Sequence, residues 1–162
     1  MRLFFYGTLT PDHDNAATGA VLPQLGPARR ARLRGRLYVV RDRQGAYPVL
    51  VPGGAEWVTG WFHAPMRKRA STTMRQLDAW EGFDPRHPGR GEYRRRTLAV
   101  RVGPRLVMAQ AYVANRPPHG GMARLPGGDF SRWATRRRIA VFGAHACNGP
   151  LTRPDAPAIG RA

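Results

Sequence analysis

The chain has 162 residues, 42% of them hydrophobic, which is typical of one domain with a packed core. No apolar run approaches the roughly 18 residues of a membrane span, and the first residues lack the pattern of a signal peptide. A single cysteine, Cys147, excludes an internal disulfide, and no Cys or His spacing predicts a metal site. We therefore expect a soluble cytoplasmic protein without a membrane partner.

The formal net charge of +17 comes from 27 basic and 10 acidic residues, and Lys68 is the single lysine. Such charge attracts polyanions or acidic substrates. Aromatic residues do not alternate with the arginines along the chain, and no nucleic-acid-binding motif is present. The sequence therefore favours a solvated basic surface over a nucleic-acid partner. The basic clusters lie at 29–36, 67–69, 94–96 and 136–138.

The chain begins with an apolar segment, Leu3 to Phe5, that predicts a short buried strand. It runs into Tyr6-Gly7-Thr8-Leu9, where a glycine lets the backbone adopt a positive φ or approach a ligand closely. The amides of Thr8 and Leu9, with the Thr8 hydroxyl, would then point at an anion or a developing oxyanion. On these residues alone an ordinary strand-to-loop corner is the alternative interpretation.

Alternating and apolar segments predict a series of strands. The clearest alternation places apolar residues on one face and arginines on the other. Pro52-Gly53-Gly54 separates the second predicted strand from the third, in which Gly60 suggests a bulge or a close backbone contact. Residues 116–128 are predicted as a long loop. The predicted strands span 29–39, 46–51, 56–63, 93–102 and 106–114.

Two helices are predicted near the two ends of the chain. Asp14 or Asn15 is expected to cap a short helix that runs through Leu22. Asp129 is expected to cap a helix from Phe130 to about residue 144. The positions predicted to face inward on this last helix are Phe130, Trp133, Ala134 and Val141.

A third helix, predicted over about 72–80, places Glu81 at its C-terminus. Thr73 and Gln76 fit a capping box, and Gly82 is a typical helix stop. The helix dipole and the apolar neighbours of Glu81 both raise the expected pKa of its carboxyl group, towards the range of a general base. A surface glutamate at a frayed helix end is the alternative. The sequence contains only three glutamates, at positions 56, 81 and 92.

The motifs follow an order that resembles one family. The order is Tyr6-Gly7-Thr8-Leu9, Tyr47-Pro48, Gly60, Leu77-Asp78-x-x-Glu81, Tyr93-x-Arg95, Ala111-Tyr112-Val113 and Gly128-Asp129-Phe130. Over about residues 2–144 it resembles the gamma-glutamyl cyclotransferase-like superfamily, and most of all its short gamma-glutamylamine cyclotransferase branch, which has many bacterial members. The resemblance implies an α+β fold, a small mixed β-barrel flanked by helices. One domain would span 1–146, followed by a loosely held tail at 147–162.

The resemblance also implies a cofactor-independent enzyme of the acyltransferase or lyase type. The α-amine of a gamma-glutamyl substrate would attack the γ-carbonyl of the same molecule and release 5-oxoproline and an amine or peptide. Glu81 would act as acid and base, and residues 6–9, which are Tyr6, Gly7, Thr8 and Leu9, would bind the gamma-glutamyl group. Tyr47 and Tyr93 would either line the site or pack beside it. A non-catalytic ligand-binding domain of the same fold is the alternative, and the oligomeric state is not indicated.

Overall fold

A computed structural model of the chain describes residues 1–64 and 70–143. The basic cluster at 67–69, Cys147 and the expected tail at 147–162 lie outside the described residues. The helices are α1 (Ala16–Val21), α2 (Ala70–Trp80) and α3 (Phe130–Arg137), with a 3₁₀ turn at Leu22–Gln24. The strands are β1 (Leu3–Phe5), β2 (Arg29–Asp42), β3 (Gly45–His63), β4 (Tyr93–Val102), β5 (Arg105–Ala114) and β6 (Met122–Arg124).

Five strands close into a barrel in the order β3-β1-β5-β4-β2, because β3 also pairs with β2. The pair β1–β5 is parallel and the other neighbouring strands are antiparallel. β6 adds to the outer edge of β2. The predicted small mixed β-barrel flanked by helices is therefore confirmed. In the described ranges, no helix is long and apolar enough to cross a membrane.

Two apolar clusters follow from the alternation of side chains along the strands. One fills the barrel and includes Phe4 and Leu33, with Phe130 of α3 packed into it. The other lies between the barrel wall and the helices α1 and α2, and includes Leu3 and Phe5. The second cluster fixes the C-terminal end of α2 against the barrel, beside the end of β1.

The predicted strands 46–51 and 56–63 form one strand, β3, so the expected break at residues 52–54 is wrong. Arg34 lies opposite Trp57 whereas Gly35 lies opposite Pro52, which leaves residues 53–56 as a bulge. Gly53 and Gly54 adopt φ values of 99° and 85°, and β3 pairs with β2 on both sides of the bulge.

Gly60 makes the close backbone contact that the sequence suggested. A Cβ atom at this position would overlap the carbonyl oxygen of Phe5 and the ring of Phe4. A glycine in β3 therefore lets β1 lie close against this strand.

Three further predictions on the elements need correction. Residues 122–124 form β6 inside the predicted loop, because the edge of β2 offers hydrogen-bond partners to a segment without any strand pattern of its own. α3 ends at Arg137 rather than near residue 144, since Arg138 adopts the left-handed conformation with φ 50°. α2 begins at Ala70, so Thr73 lies within the helix, and its hydroxyl and the Gln76 side chain both bind Gln24 rather than forming a capping box.

Candidate active site

A pocket opens where β1 ends, beside the start of β3 and the C-terminal end of α2. The cavity has a volume of about 40 Å³. All seven predicted site residues line it, together with residues that the sequence analysis did not place in the site. The predicted residues are Tyr6, Gly7, Thr8, Leu9, Tyr47, Glu81 and Tyr93, and the additional ones include Pro48, Trp80, Tyr112 and Phe142.

The loop after β1 is held by hydrogen bonds to its carbonyl groups. The Thr10 hydroxyl donates to the Gly7 oxygen over 3.0 Å, and the Asn15 side-chain amide donates to the Thr8 oxygen over 2.8 Å. Asn15 is itself fixed as the N-cap of α1. Within residues 1–64 and 70–143, none of the hydrogen bonds is donated by the backbone amides of Gly7, Thr8 or Leu9. Gly7, Thr8 and Leu9 also line the pocket, so their amides are candidates for binding an anionic group there.

Gly7 is required for a reason that the sequence did not show. Its φ is not in the left-handed region, so of the two alternatives that the sequence left open the positive φ does not apply. A Cβ atom at this position would lie 2.7 Å from Cγ of Pro48. The glycine thus allows the loop to pack directly on the ring of Pro48 in β3.

Four tyrosines line the pocket, and the hydroxyl groups of Tyr6, Tyr47 and Tyr93 donate hydrogen bonds to other parts of the fold. The Tyr6 hydroxyl donates to the Tyr112 carbonyl over 2.8 Å, and the Tyr93 hydroxyl donates to the Pro48 carbonyl over 2.9 Å. The Tyr47 hydroxyl donates to Glu92 over 3.1 Å. Tyr47 and Tyr93 are buried in the cluster under α2 and line the pocket as well, so the two alternatives for these rings are not exclusive.

Asp78 is a buried carboxylate of α2 that contacts the pocket residue Tyr112. It accepts hydrogen bonds from the Tyr112 hydroxyl at 2.7 Å and from Nη1 of Arg95 at 2.9 Å. Burial raises the pKa of Tyr112, and the hydrogen bond to Asp78 raises it further. The phenol therefore stays protonated and its hydrogen points at the carboxylate. Asp78 and Arg95 belong to the motifs quoted above, but the sequence contains no signal that pairs them with Tyr112.

Glu81 follows the last turn of α2 and lies half-buried at the pocket. Its amide donates to the Leu77 carbonyl, and Gly82, with φ 62°, follows it and stops the helix. The Phe83 amide donates a hydrogen bond to the Asp78 carbonyl, an arrangement typical of helix C-termini. The negative charge of Glu81 adds to the raised pKa of Tyr112, because the two groups lie near each other. The raised pKa of Glu81 itself stays a prediction.

Phe142 completes the apolar wall, although the sequence placed it inside a helix. After α3 the chain returns to β3, where the Phe142 amide donates to the Ala46 carbonyl over 2.9 Å. The Phe142 ring meets the Tyr47 ring edge-on at 5.5 Å and the Trp80 ring at 6.5 Å between centroids.

Within the described ranges, no group of three His, Cys, Asp or Glu side chains is arranged to hold a metal ion.

Comparisons with known proteins agree with this architecture. The model of the family "Gamma-glutamyl cyclotransferase, AIG2-like" matches residues 3–132. A comparison with curated proteins finds no match.

Several solved structures are similar. YkqA from Bacillus subtilis is 18% identical with a TM-score of 0.58, covering 85% of this chain and 42% of that one, so this chain spans less than half of YkqA. The solution structure of At5g39720.1 from Arabidopsis thaliana is 20% identical with a TM-score of 0.55, covering 85% of this chain and 82% of that one. A structure titled gamma-glutamyl cyclotransferase is 12% identical with a TM-score of 0.51, covering 91% of this chain and 92% of that one. The similarity to these structures shows the fold. Because the family model matches residues 3–132, the chain belongs to the gamma-glutamyl cyclotransferase, AIG2-like family.

Proposed function

We propose that the protein releases 5-oxoproline from a gamma-glutamyl amine or peptide. The substrate α-amine attacks the γ-carbonyl carbon of the same molecule, the lactam C–N bond forms, and the bond to the leaving amine breaks. Because nucleophile and electrophile share one molecule, the reaction needs no protein nucleophile and no metal or organic cofactor. The observation that supports this proposal best is that Glu81 and residues 7–9 line the same pocket.

Each group has a role that follows from its position. Glu81 takes the proton that the α-amine loses on attack and returns it to the leaving nitrogen, so the proton balance closes within one turnover. The amides of Gly7, Thr8 and Leu9 donate to the oxygen that becomes negative in the tetrahedral intermediate. Thr10 and Asn15 hold the carbonyls of this loop, so its backbone is already arranged before the substrate binds.

The aromatic walls of the pocket bind the substrate and exclude water. Tyr47, Trp80 and Phe142 present ring faces and edges to the cleft, so a bound substrate replaces water against them. With water excluded, the interaction of the amides with the developing negative charge becomes stronger.

The experiment is the measurement of 5-oxoproline release from a panel of gamma-glutamyl amines, gamma-glutamyl dipeptides and glutathione. We expect Glu81→Gln to keep the fold and to lose about 10²-fold or more in kcat, the range of a general acid and base. The matched control is Glu56→Gln, which changes an exposed glutamate of β3 that pairs with Arg124 away from the pocket. We expect this control to retain the wild-type rate.

A Glu81→Gln variant with a wild-type rate on a confirmed substrate would remove Glu81 from the mechanism. Binding of gamma-glutamyl compounds without any release of 5-oxoproline would instead favour the non-catalytic ligand-binding domain.

A further inference from the structure

The outer surface of β2, β3 and β4 carries arginine and tryptophan side chains side by side. Alternate residues of β2 point away from the barrel interior, and β3 pairs with them in register. Arg30 lies opposite Trp61, and Arg34 lies opposite Trp57. We call this surface the arginine–tryptophan face and define it as Arg30, Arg32, Arg34, Trp57, Trp61 and Arg101.

Three of the four guanidinium groups of this face lie over an indole ring. The Arg34 guanidinium carbon lies 3.7 Å from the Trp57 ring centroid, and that of Arg101 lies 5.5 Å from the same ring. The Arg30 guanidinium carbon lies 4.1 Å from the Trp61 centroid. The aromatic residues that are missing between the arginines along the chain are thus supplied by the neighbouring strand. Along the chain, the lack of aromatic residues between the arginines disfavoured a nucleic-acid partner. In the folded protein, aromatic rings do lie beside these arginines.

Most of the charge on this face has no carboxylate beside it. Arg32 lies directly opposite Arg101 across β2 and β4, and like charges at such positions repel each other. In the described part of the chain, Arg32, Arg34 and Arg101 make no ion pair, whereas Arg30 reaches Asp12 at 3.5 Å. A bound polyanion would neutralise these arginines and relieve the repulsion.

We propose that the arginine–tryptophan face binds single-stranded nucleic acid. The N–H edges of the guanidinium groups donate to phosphate oxygens, while the stacked guanidinium and indole planes receive unpaired bases. The outward arginines of β2 recur about every 6.7 Å along the strand, which suits an extended backbone. A duplex hides its base faces, so stacking selects the single strand. This activity is separate from the chemistry of the pocket.

The first test compares two charge-matched double variants. Binding of a labelled oligonucleotide of about 16 nucleotides is measured by fluorescence anisotropy between about 50 and 200 mM salt. The variant Arg32→Gln/Arg101→Gln removes two charges from the face, and we expect the slope of log K against log salt to become shallower by about 1.4. The control Arg136→Gln/Arg137→Gln removes the same charge from exposed positions of α3 and should keep the wild-type slope. Equal losses in both variants would overturn the proposal, because net charge alone would then explain binding.

The second test concerns stacking. Trp57→Leu leaves the charge unchanged, and we expect it to weaken single-strand binding at least about fivefold, with folding checked by thermal unfolding. Unaltered binding by this variant, or a duplex of the same length bound equally well, would overturn the proposal.

The exposed side chains Leu106 and Met108 on β5 border the face, since Leu106 lies opposite Arg101. Vesicles containing anionic lipid are therefore the third arm of the test. We expect the oligonucleotide to bind and to compete with any vesicle binding. Binding to vesicles without binding to the oligonucleotide would assign the face to a membrane surface and overturn the proposal.

Discussion

At the scale of single residues, the pocket depends on contacts that leave no room for an additional atom. The Gly7 backbone packs on Pro48, and the Tyr112 hydroxyl sits on a buried carboxylate. Both contacts join segments that are far apart in the sequence. They determine where the loop amides and Glu81 lie relative to each other.

We expect Gly7→Ala to lower the free energy of unfolding by about 1–3 kcal/mol, because the new methyl group would press against Cγ of Pro48. The matched control is Gly19→Ala in α1, where a Cβ meets nothing within 4 Å. This control should stabilise the protein by about 0.5–1 kcal/mol, the usual gain of alanine over glycine inside a helix. Urea unfolding measures both changes, and the same change in both variants would contradict the Pro48 contact.

We expect Tyr112→Phe to lower the free energy of unfolding by about 1–3 kcal/mol, because Asp78 loses one of its two buried hydrogen-bond donors. If the ring also positions the substrate beside Glu81, kcat falls while KM changes little. Tyr38→Phe is the control, since the Tyr38 ring lies on the outer face of β2 beside Arg124. An unchanged unfolding midpoint for Tyr112→Phe would show that the hydroxyl is dispensable.

At the scale of secondary-structure elements, the sequence predicted what depends on local pattern. The alternation in β2, the N-cap Asn15 and the stop at Gly82 each involve neighbours within a few residues, and each agrees with the structure. The early end of α3 and the pairing of β6 depend on partners elsewhere in the fold. No local pattern marks them, so they were not predicted.

The residues of the candidate site also divide into those that a local pattern marks and those that depend on distant partners. Glu81 and residues 6–9 carry local signals, a helix end and a glycine after a strand, and the fold brings them to one pocket. Asp78, Arg95 and Tyr112 form a network across 17 and 34 positions of the chain. Composition and periodicity do not reveal such pairs, and Phe142 was missed because the end of its predicted helix was wrong.

The bulge in β3 provides a test at this scale. Gly54 has φ 85°, and a methyl group added to it would meet no atom within 4 Å, so substitution acts through the backbone alone. We expect Gly54→Ala to cost about 1–2 kcal/mol of unfolding free energy. Gly89→Ala, with neither a positive φ nor a close neighbour, should lie within about 0.5 kcal/mol of the wild type. Equal urea midpoints for both variants would mean that the bulge accepts the methyl group at residue 54 without backbone strain.

At the scale of the whole molecule, charge and burial make stability depend on pH. His63 is 3% exposed and lies against the Phe5 ring, and burial lowers its pKa below 6.5. Burial lowers the pKa of His13 as well. Below about pH 6.5 the unfolded chain therefore binds protons that the folded chain does not, and stability falls as the pH decreases towards the lowered pKa values.

We expect the urea midpoint of the wild type to decrease steadily between about pH 7.5 and 5. His63→Gln removes one of the two groups, so its stability should depend less on pH over this interval, whatever its absolute value. Parallel curves for the two proteins would exclude His63 as a source of the effect. His87 offers a control variant, His87→Gln, because this exposed side chain pairs with Asp84 at the surface.

The position of β1 in the barrel has a consequence for biosynthesis. β1 leaves the ribosome before the other strands of the barrel, yet its neighbours are β3 and β5, and the Gln110 amide donates to the Arg2 carbonyl. At about 5–20 residues per second, β5 emerges about 5–20 s after β1. Until then the barrel stays open at this seam, and the loop that carries Gly7 has no fixed place. The pocket therefore forms only after β5 has been synthesised, when β1, the earliest strand of the barrel, pairs with it.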